Sequence, residues 1–418
     1  MTFFCISGNA QRKSHEVEVM ITPNHSDWKY KIGERCKFIV RIYEAMYPLN
    51  NVTIDYRMGP VDFENIQEEN VQLKNGQIEL TGTLSKPGYY RLIVTAHVNG
   101  RTYRNLCSVG YEPEKIGAVT TMPTDFREYW ENQIAEARKT PLKAKERLLQ
   151  ERCTDIVNVY EVSFQNIREG SRTYGILCIP KNKGKYPTLV RFPGAGVGSR
   201  EGDVTTAEKG AITLEIGIHG ISVTLDSEVY NSLKNGELFE YYKLRDKVSR
   251  DSYFYHRVFL SVIRALDYIK NRQEYNGTLG VTGSSQGGAL SLFAAAFDKD
   301  VDFLAICCPA MCESEAILTK DVPSGFHFFT GKGFKMDNDF VDPLRYYDST
   351  NSARLITQPV WYCFGFNDER IGPHSLMAVY NALNTNKKLR LFPELGHYFY
   401  NEEIEERDQW LWEKLGIK

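Results

Sequence analysis

Polar and apolar residues alternate along Glu16-Val17-Glu18-Val19-Met20-Ile21, the period of a half-buried strand. Runs of the same character recur at 36–43, 51–56, 77–84, 89–98 and 102–109. Asn99-Gly100 separates the last two, and both residue types accept the positive φ of a tight hairpin. Lys74-Asn75-Gly76 and Lys86-Pro87-Gly88 supply further turn chemistry. Short strands at this spacing predict a β-sandwich-like domain over residues 1–112. Residues 113–124 lose the pattern, carry Pro113, Gly117 and Pro123, and read as a linker. Thr124 or Asp125 then caps a helix that gathers Phe126, Tyr129 and Trp130 on one face.

Beyond residue 150 the periods mix. Strands are predicted at 157–162, 174–179, 188–192, 211–216, 278–282, 303–308, 359–364 and 388–392. Between them lie helical patterns at 254–271 and 286–297, and an acidic one closes the chain at 402–415. Strands alternating with helices argue a mostly parallel sheet flanked by helices, an α/β domain spanning residues 125–418. No internal repeat or low-complexity tract interrupts it.

Composition narrows the function classes. Hydrophobic residues make up 42% and charged residues 25% of the 418, as in globular proteins. Lys and Arg total 51 against 53 Asp and Glu, so no broad cationic field exists for nucleic acid or an anionic membrane. No apolar run approaches the roughly 18 residues of a membrane span. Phe3-Phe4-Cys5-Ile6 followed by Gly8-Asn9-Ala10 resembles the tail of a secretory leader, which points to a periplasmic or secreted protein. An ordinary cytoplasmic start is the alternative. Nine cysteines without a C-x-x-C pair argue against a zinc ribbon or a complete disulfide framework, leaving room for one or two bridges. Trp28, Tyr30 and Tyr56 would suit sugar binding if exposed; core packing is the expectation for them.

The sharpest chemical signal is Gly283-Ser284-Ser285-Gln286-Gly287-Gly288. It holds G-x-S-x-G centred on Ser285, between a buried-strand pattern and an apolar helix, the context a nucleophile elbow requires. A base should follow late in the chain. His397 sits in a Gly-His loop after the last strand; His374 and His327 are read as ordinary surface or core residues. The acid should end the preceding strand, where Asp368 stands with Glu369 as its competitor; Asp342 and Asp348 lie upstream. Two backbone N–H donors should form an oxyanion hole: that of Gln286, and that of Ala195 in the small-residue loop Pro193-Gly194-Ala195. No metal-binding or nucleotide-binding motif occurs, and Gly194-x-Gly196-x-Gly198 does not fit the dinucleotide fingerprint. No cofactor and no metal are expected.

Together these residues resemble the acetyl xylan esterase and cephalosporin C deacetylase family, carbohydrate esterase family seven. The resemblance covers residues 115–418. It is carried by Pro123-Thr124-Asp125-Phe126 through Trp130, by Arg264-Ala265-Leu266-Asp267 through Gly288, and by Leu344-Arg345-Tyr346-Tyr347-Asp348 through Gly365-Phe366-Asn367-Asp368. It implies an α/β-hydrolase fold with Ser285, Asp368 and His397 as triad, and the family's hexamer makes a homo-oligomer an expectation. Three segments depart. The family's His-Gly-Tyr oxyanion loop is Pro193-Gly194-Ala195 here; its Arg-Gly-Gln motif falls at Gly217-Ile218-His219, removing that arginine's contacts; and its His-Glu is His397-Tyr398.

The expected function is a serine esterase that removes acetyl groups from xylan-type oligosaccharides through an acyl-enzyme. The alternatives are a hydrolase of another acyl class (peptidase, lactonase or longer-chain esterase) and a non-catalytic sugar-binding or scaffold protein.

Overall fold

A computed structural model describes residues 17–236, 249–326 and 336–418. The leader-like segment, Cys5 and His327 lie outside the described residues. The chain divides into two compact units between Glu114 and Lys115.

The first unit is built from two sheets. One joins β1 (Val17–Pro23), β3 (Cys36–Glu44), β4 (Tyr47–Pro48) and β7 (Gln77–Gly82); the other runs β2 (Lys29–Tyr30), β9 (Arg101–Tyr111), β8 (Gly88–Val98), β5 (Thr53–Pro60), β6 (Ile66–Gln72). Every second side chain of β1 and β3 turns inward, so Phe38, Val40 and Ile42 share one core with Ile54, Leu92, Val94 and Val109 of the other sheet. Asn99 and Gly100 take φ of 51° and 75° at the β8–β9 turn, the left-handed pair that suits a twisted hairpin. The Tyr111 hydroxyl accepts from Cys36 N and donates toward the Glu34 and Gly82 carbonyls, cross-linking the sheets. Tyr30 and Tyr56 are buried and Trp28 packs against the same core, so these aromatics serve packing.

The second unit carries a nine-stranded sheet ordered β10 (Lys145–Leu148), β11 (Val157–Gln165), β12 (Arg172–Pro180), β14 (Ile212–Ile216), β13 (Tyr186–Phe192), β15 (Tyr275–Ser284), β16 (Phe303–Cys307), β17 (Val360–Phe364), β18 (Lys387–Leu391). From β14 to β18 all neighbours pair in parallel; β10, β11 and β12 run antiparallel. The chain leaves β13 toward β14 on one side, and leaves β15 toward β16 on the other. The crevice between the carboxyl ends of β13 and β15 is therefore the switch point, where open parallel sheets bind ligands.

Helices Phe254–Lys270 and Gln286–Phe297 pack on each other and on these central strands, and Asn401–Leu415 packs on β13, β15 and β16. Gln286–Phe297 is apolar all round and buried from Gln286 to Ala295, as a helix enclosed by its neighbours must be. Trp130 on the helix Phe126–Arg138 sits in an aromatic cluster with Phe259, Phe293 and Tyr347, its indole donating to Tyr346 O at 2.8 Å. Asp125 does occupy the N-cap, but its carboxylate serves Arg250 and the Tyr346 hydroxyl instead of the helix N–H groups. Residues 116–124 form no regular element. They belong to the second unit and are held within it by Val119 N to Glu313 (2.7 Å), Thr121 N to Glu315 (3.0 Å) and Asn351 to Thr121 O (3.2 Å).

The eight described cysteines are all free. The expected room for disulfides is not used among them, because most lie in core strands as small apolar residues. No helix among the described residues is long and apolar enough to cross a membrane.

Candidate active site

β15 ends at Ser284, and the next helix begins at Gln286. Ser285 alone makes the reversal, with φ 58° and ψ −123°. Such a backbone is strained for a residue with a side chain and persists only where its surroundings enforce it. The flanking glycines provide the room. A Cβ on Gly283 would stand 2.4 Å from the Gly287 backbone, and one on Gly287 would stand 2.2 Å from Phe192 O. The elbow therefore closes only with glycine on both sides. The turn sets Ser285 at the helix N-terminus, where unpaired N–H groups and the helix dipole favour negative charge.

Gln286 does more than follow the nucleophile position. Its side chain is buried and donates to Pro193 O at 3.1 Å and toward Gly194 O at 3.4 Å, while its carbonyl accepts from the Tyr255 hydroxyl at 2.7 Å. The loop leaving β13 is thus clamped to the elbow. Carbonyl and N–H point opposite ways in a trans peptide, so a Gly194 carbonyl held by Gln286 aims the Ala195 N–H away from it.

Asp368 and His397 come together from separate strands. The Asp368 carboxylate is fully buried; Oδ1 accepts from Arg370 N (2.8 Å) and Ile371 N (2.9 Å), and Oδ2 meets His397 Nδ1 at 2.7 Å. An ionised carboxylate only accepts, so Nδ1 carries the proton and Nε2 keeps a free lone pair. The His397 side chain is 19% exposed. The two loops are registered by a close approach: a Cβ on Gly365 would stand 2.0 Å from Leu395 O, and Asn367 N donates to that same carbonyl at 3.0 Å.

The competing acids are occupied or remote. Glu369 is exposed. Asp342 pairs with Arg345, and buried Asp348 caps Ser349–Ala353 while accepting from Glu313 N and Ser314 N. His374 opens the helix Pro373–Ala382.

Ser285 joins this group through β16. Its N–H donates to Cys307 O at 3.0 Å, and the Sγ of the next residue, Cys308, lies within 4.8 Å of the Asp368 and His397 donor atoms. Among the described residues this trio is the one group spaced to hold a metal ion. Its chemistry does not suit one: the Asp368 oxygens are already engaged by three N–H groups, and burial drives the Cys308 thiol well above its ordinary pKa, leaving it protonated.

Several supporting residues were not legible in the sequence: Tyr255, Cys308, and Gly365 with Leu395. Arg257 is another, reaching the 217–219 segment from the helix Phe254–Lys270. Its Nη2 donates to Ile218 O at 2.8 Å, and its Nη1 is the group a Cβ on Gly220 would meet at 3.2 Å. Beside it, burial and then the charges of Arg257 and Arg200 lower His219 to about 4, so that imidazole is neutral at neutral pH.

A parallel sheet with a serine elbow at its switch point, followed in order by an acid and a histidine, defines the α/β-hydrolase class. The family model described as Acetyl xylan esterase (AXE1) matches residues 113–414. The chain belongs to the acetyl xylan esterase family and is a carboxylic ester hydrolase. The acetyl esterase Axe7A of Xylanibacter ruminicola is 32% identical over 408 residues, covering 96% of this chain and 90% of its own. That match takes in the first unit as well as the second. Among solved structures, the acetyl xylan esterase of Paenibacillus sp. R4 aligns with a TM-score of 0.61 at 23% identity, over 72% of this chain and 98% of its own. Acetyl xylan esterase 1 of Thermoanaerobacterium sp. JW/SL YS485 aligns at 0.59 and 22%, with the same coverage. These two likenesses establish the shared fold.

Proposed function

We propose that Ser285, His397 and Asp368 form the catalytic triad of an esterase that deacetylates xylan-type saccharides. His397 Nε2 takes the Ser285 hydroxyl proton as Oγ attacks the acetyl carbonyl. Asp368 holds the imidazole in the tautomer this needs and stabilises the imidazolium that forms. The N–H groups of Gln286 and Ala195 hold the oxyanion. The intermediate collapses as His397 returns the proton to the departing sugar oxygen, leaving acetyl-Ser285. A water that gives its proton to His397 then attacks, releasing acetate and restoring the serine.

The observation that carries this reading is the 2.7 Å bond from His397 Nδ1 to buried Asp368, beside an elbow that presents Ser285. Acetylated xylan enters as substrate from the family and from the relatives named above. The test is acetate release from acetylated xylo-oligosaccharides by wild type and Ser285→Ala, with butyryl esters and peptides as controls. Release that vanishes in the variant and falls steeply with acyl length supports the proposal. Release that survives in Ser285→Ala, or a preference for butyryl esters or peptides, overturns it.

A further inference from the structure

Phe, Tyr and Trp are abundant in the second unit, yet among its described residues two of them stay exposed: Tyr398 at 37% and Tyr400 at 42%. They stand one and three residues beyond His397. Residues 397–400 form no helix or strand, and the two rings come together with centroids 5.7 Å apart at 72°. The Tyr398 ring folds back over the histidine loop, where a Cβ on Gly396 would meet its Cε1 at 3.2 Å and the Asn367 carbonyl at 3.4 Å. Asn367 directly precedes Asp368. The corner made by the two rings is therefore fixed to the same two loops that carry the acid–histidine pair.

Two touching rings, each partly open to water beside the acid–histidine loops, offer an aromatic face on which a ligand ring can lie. Its surroundings select the ligand. From Glu394 to Glu406 the chain carries Glu394, Glu402, Glu403, Glu405 and Glu406 and no Lys or Arg; Glu406 is paired with Lys388 and Arg390 of β18, and the other four keep the segment acidic. Anionic lipids and nucleic acids are disfavoured there, whereas a neutral ring is not. The C–H face of a pyranose matches the face of an aromatic ring; the Tyr400 side chain also caps the helix Asn401–Leu415.

We propose that Tyr398 and Tyr400 form a stacking subsite for a neutral pyranose of the acetylated saccharide, so that saccharide esters are preferred over small acetyl esters. The inference rests on the reading of His397 and Ser285 as the reacting pair. It also gives the departure from the family's His-Glu a role: the residue after the histidine is an aromatic platform.

Two measurements test it. Calorimetric binding of acetylated xylo-oligosaccharide to Ser285→Ala, with and without Tyr398→Ala and Tyr400→Ala, reads the subsite without catalysis. Affinity should fall roughly 10-fold in the variant lacking both rings and return with Phe at both positions. In the enzyme with Ser285 intact, the ratio of kcat/KM for the saccharide ester to that for an aryl acetate should fall by a similar factor, through KM. Unchanged saccharide affinity and an unchanged ratio overturn the subsite while leaving the esterase reading in place. Parallel losses on both substrates also overturn it, by assigning the rings a structural role. Binding that depends on the rings, in a protein that releases no acetate, would instead retain the subsite and remove the proposed reaction.

Discussion

The Gln286 carboxamide reaches across the switch point to the Pro193 carbonyl at 3.1 Å, so the residue after the serine also fixes the loop that ends at Ala195. Gln286→Glu keeps the shape and the backbone N–H but sets a carboxylate against that carbonyl. The expected result is a kcat lower by about 100-fold, the scale of losing one oxyanion donor, with a smaller change in KM. Steady-state kinetics on an aryl acetate check it. Tyr255→Phe removes the bond to Gln286 Oε1 but leaves the carboxamide in place, and should cost less.

Asp368→Asn is the complementary change at the far end of the site. The amide fits the same space but favours the wrong imidazole tautomer, and a kcat loss of about 10⁴ is expected. Glu369→Gln, at an exposed neighbour, should stay within about twofold of wild type. If the two variants exchange these outcomes, Glu369 is the acid.

Gly365→Ala should destabilise the protein well beyond an ordinary surface change, because its Cβ would lie 2.0 Å from Leu395 O. Overpacking of this kind costs roughly 1–3 kcal/mol or more, and here it also pushes the histidine loop from Asp368. Gly117→Ala, with nothing within 4 Å of its Cβ, is the control. Thermal melts of the two variants beside wild type decide it.

Much of this site was legible because it is local. Strand, G-x-S-x-G and helix are contiguous, and each reports its own period. The late Gly-His loop and the acid after the preceding strand follow from chain order. What was not legible is either exposed or long-range. β6 and β10 are exposed at almost every position, so neither shows the alternation that marks a half-buried strand. The Gln286 side chain finds its partner 93 residues away, and Arg257 reaches a carbonyl 39 residues away. No local pattern encodes such contacts. Asp125 read as a helix cap because its position allows it; Arg250 and Tyr346 compete for the carboxylate and win.

A buried carboxyl pair gives the fold a pH dependence apart from catalysis. Burial first, and then the Asp348 charge, raise Glu313 to about 7. Asp348 is itself raised by burial. A carboxyl that holds its proton more tightly when folded stabilises the native state at low pH. That contribution is lost as pH rises from about 4.5, the ordinary glutamate range, through about 7. Glu313→Gln removes the ionisation while its amide still serves Val119 N and Thr350. Wild-type melting temperature should therefore fall relative to Glu313→Gln across this window, by up to about 1.4 kcal/mol of stability per pH unit. Parallel curves would contradict the assignment.

The most direct test of the central claim is covalent. A fluorophosphonate, which labels an activated serine, should add once per chain, on the peptide carrying Ser285, with loss of esterase activity in step. Ser285→Ala should take up no label, and Asp368→Asn should label far more slowly. Label on another residue, or full inactivation with Ser285 unmodified, would contradict the account.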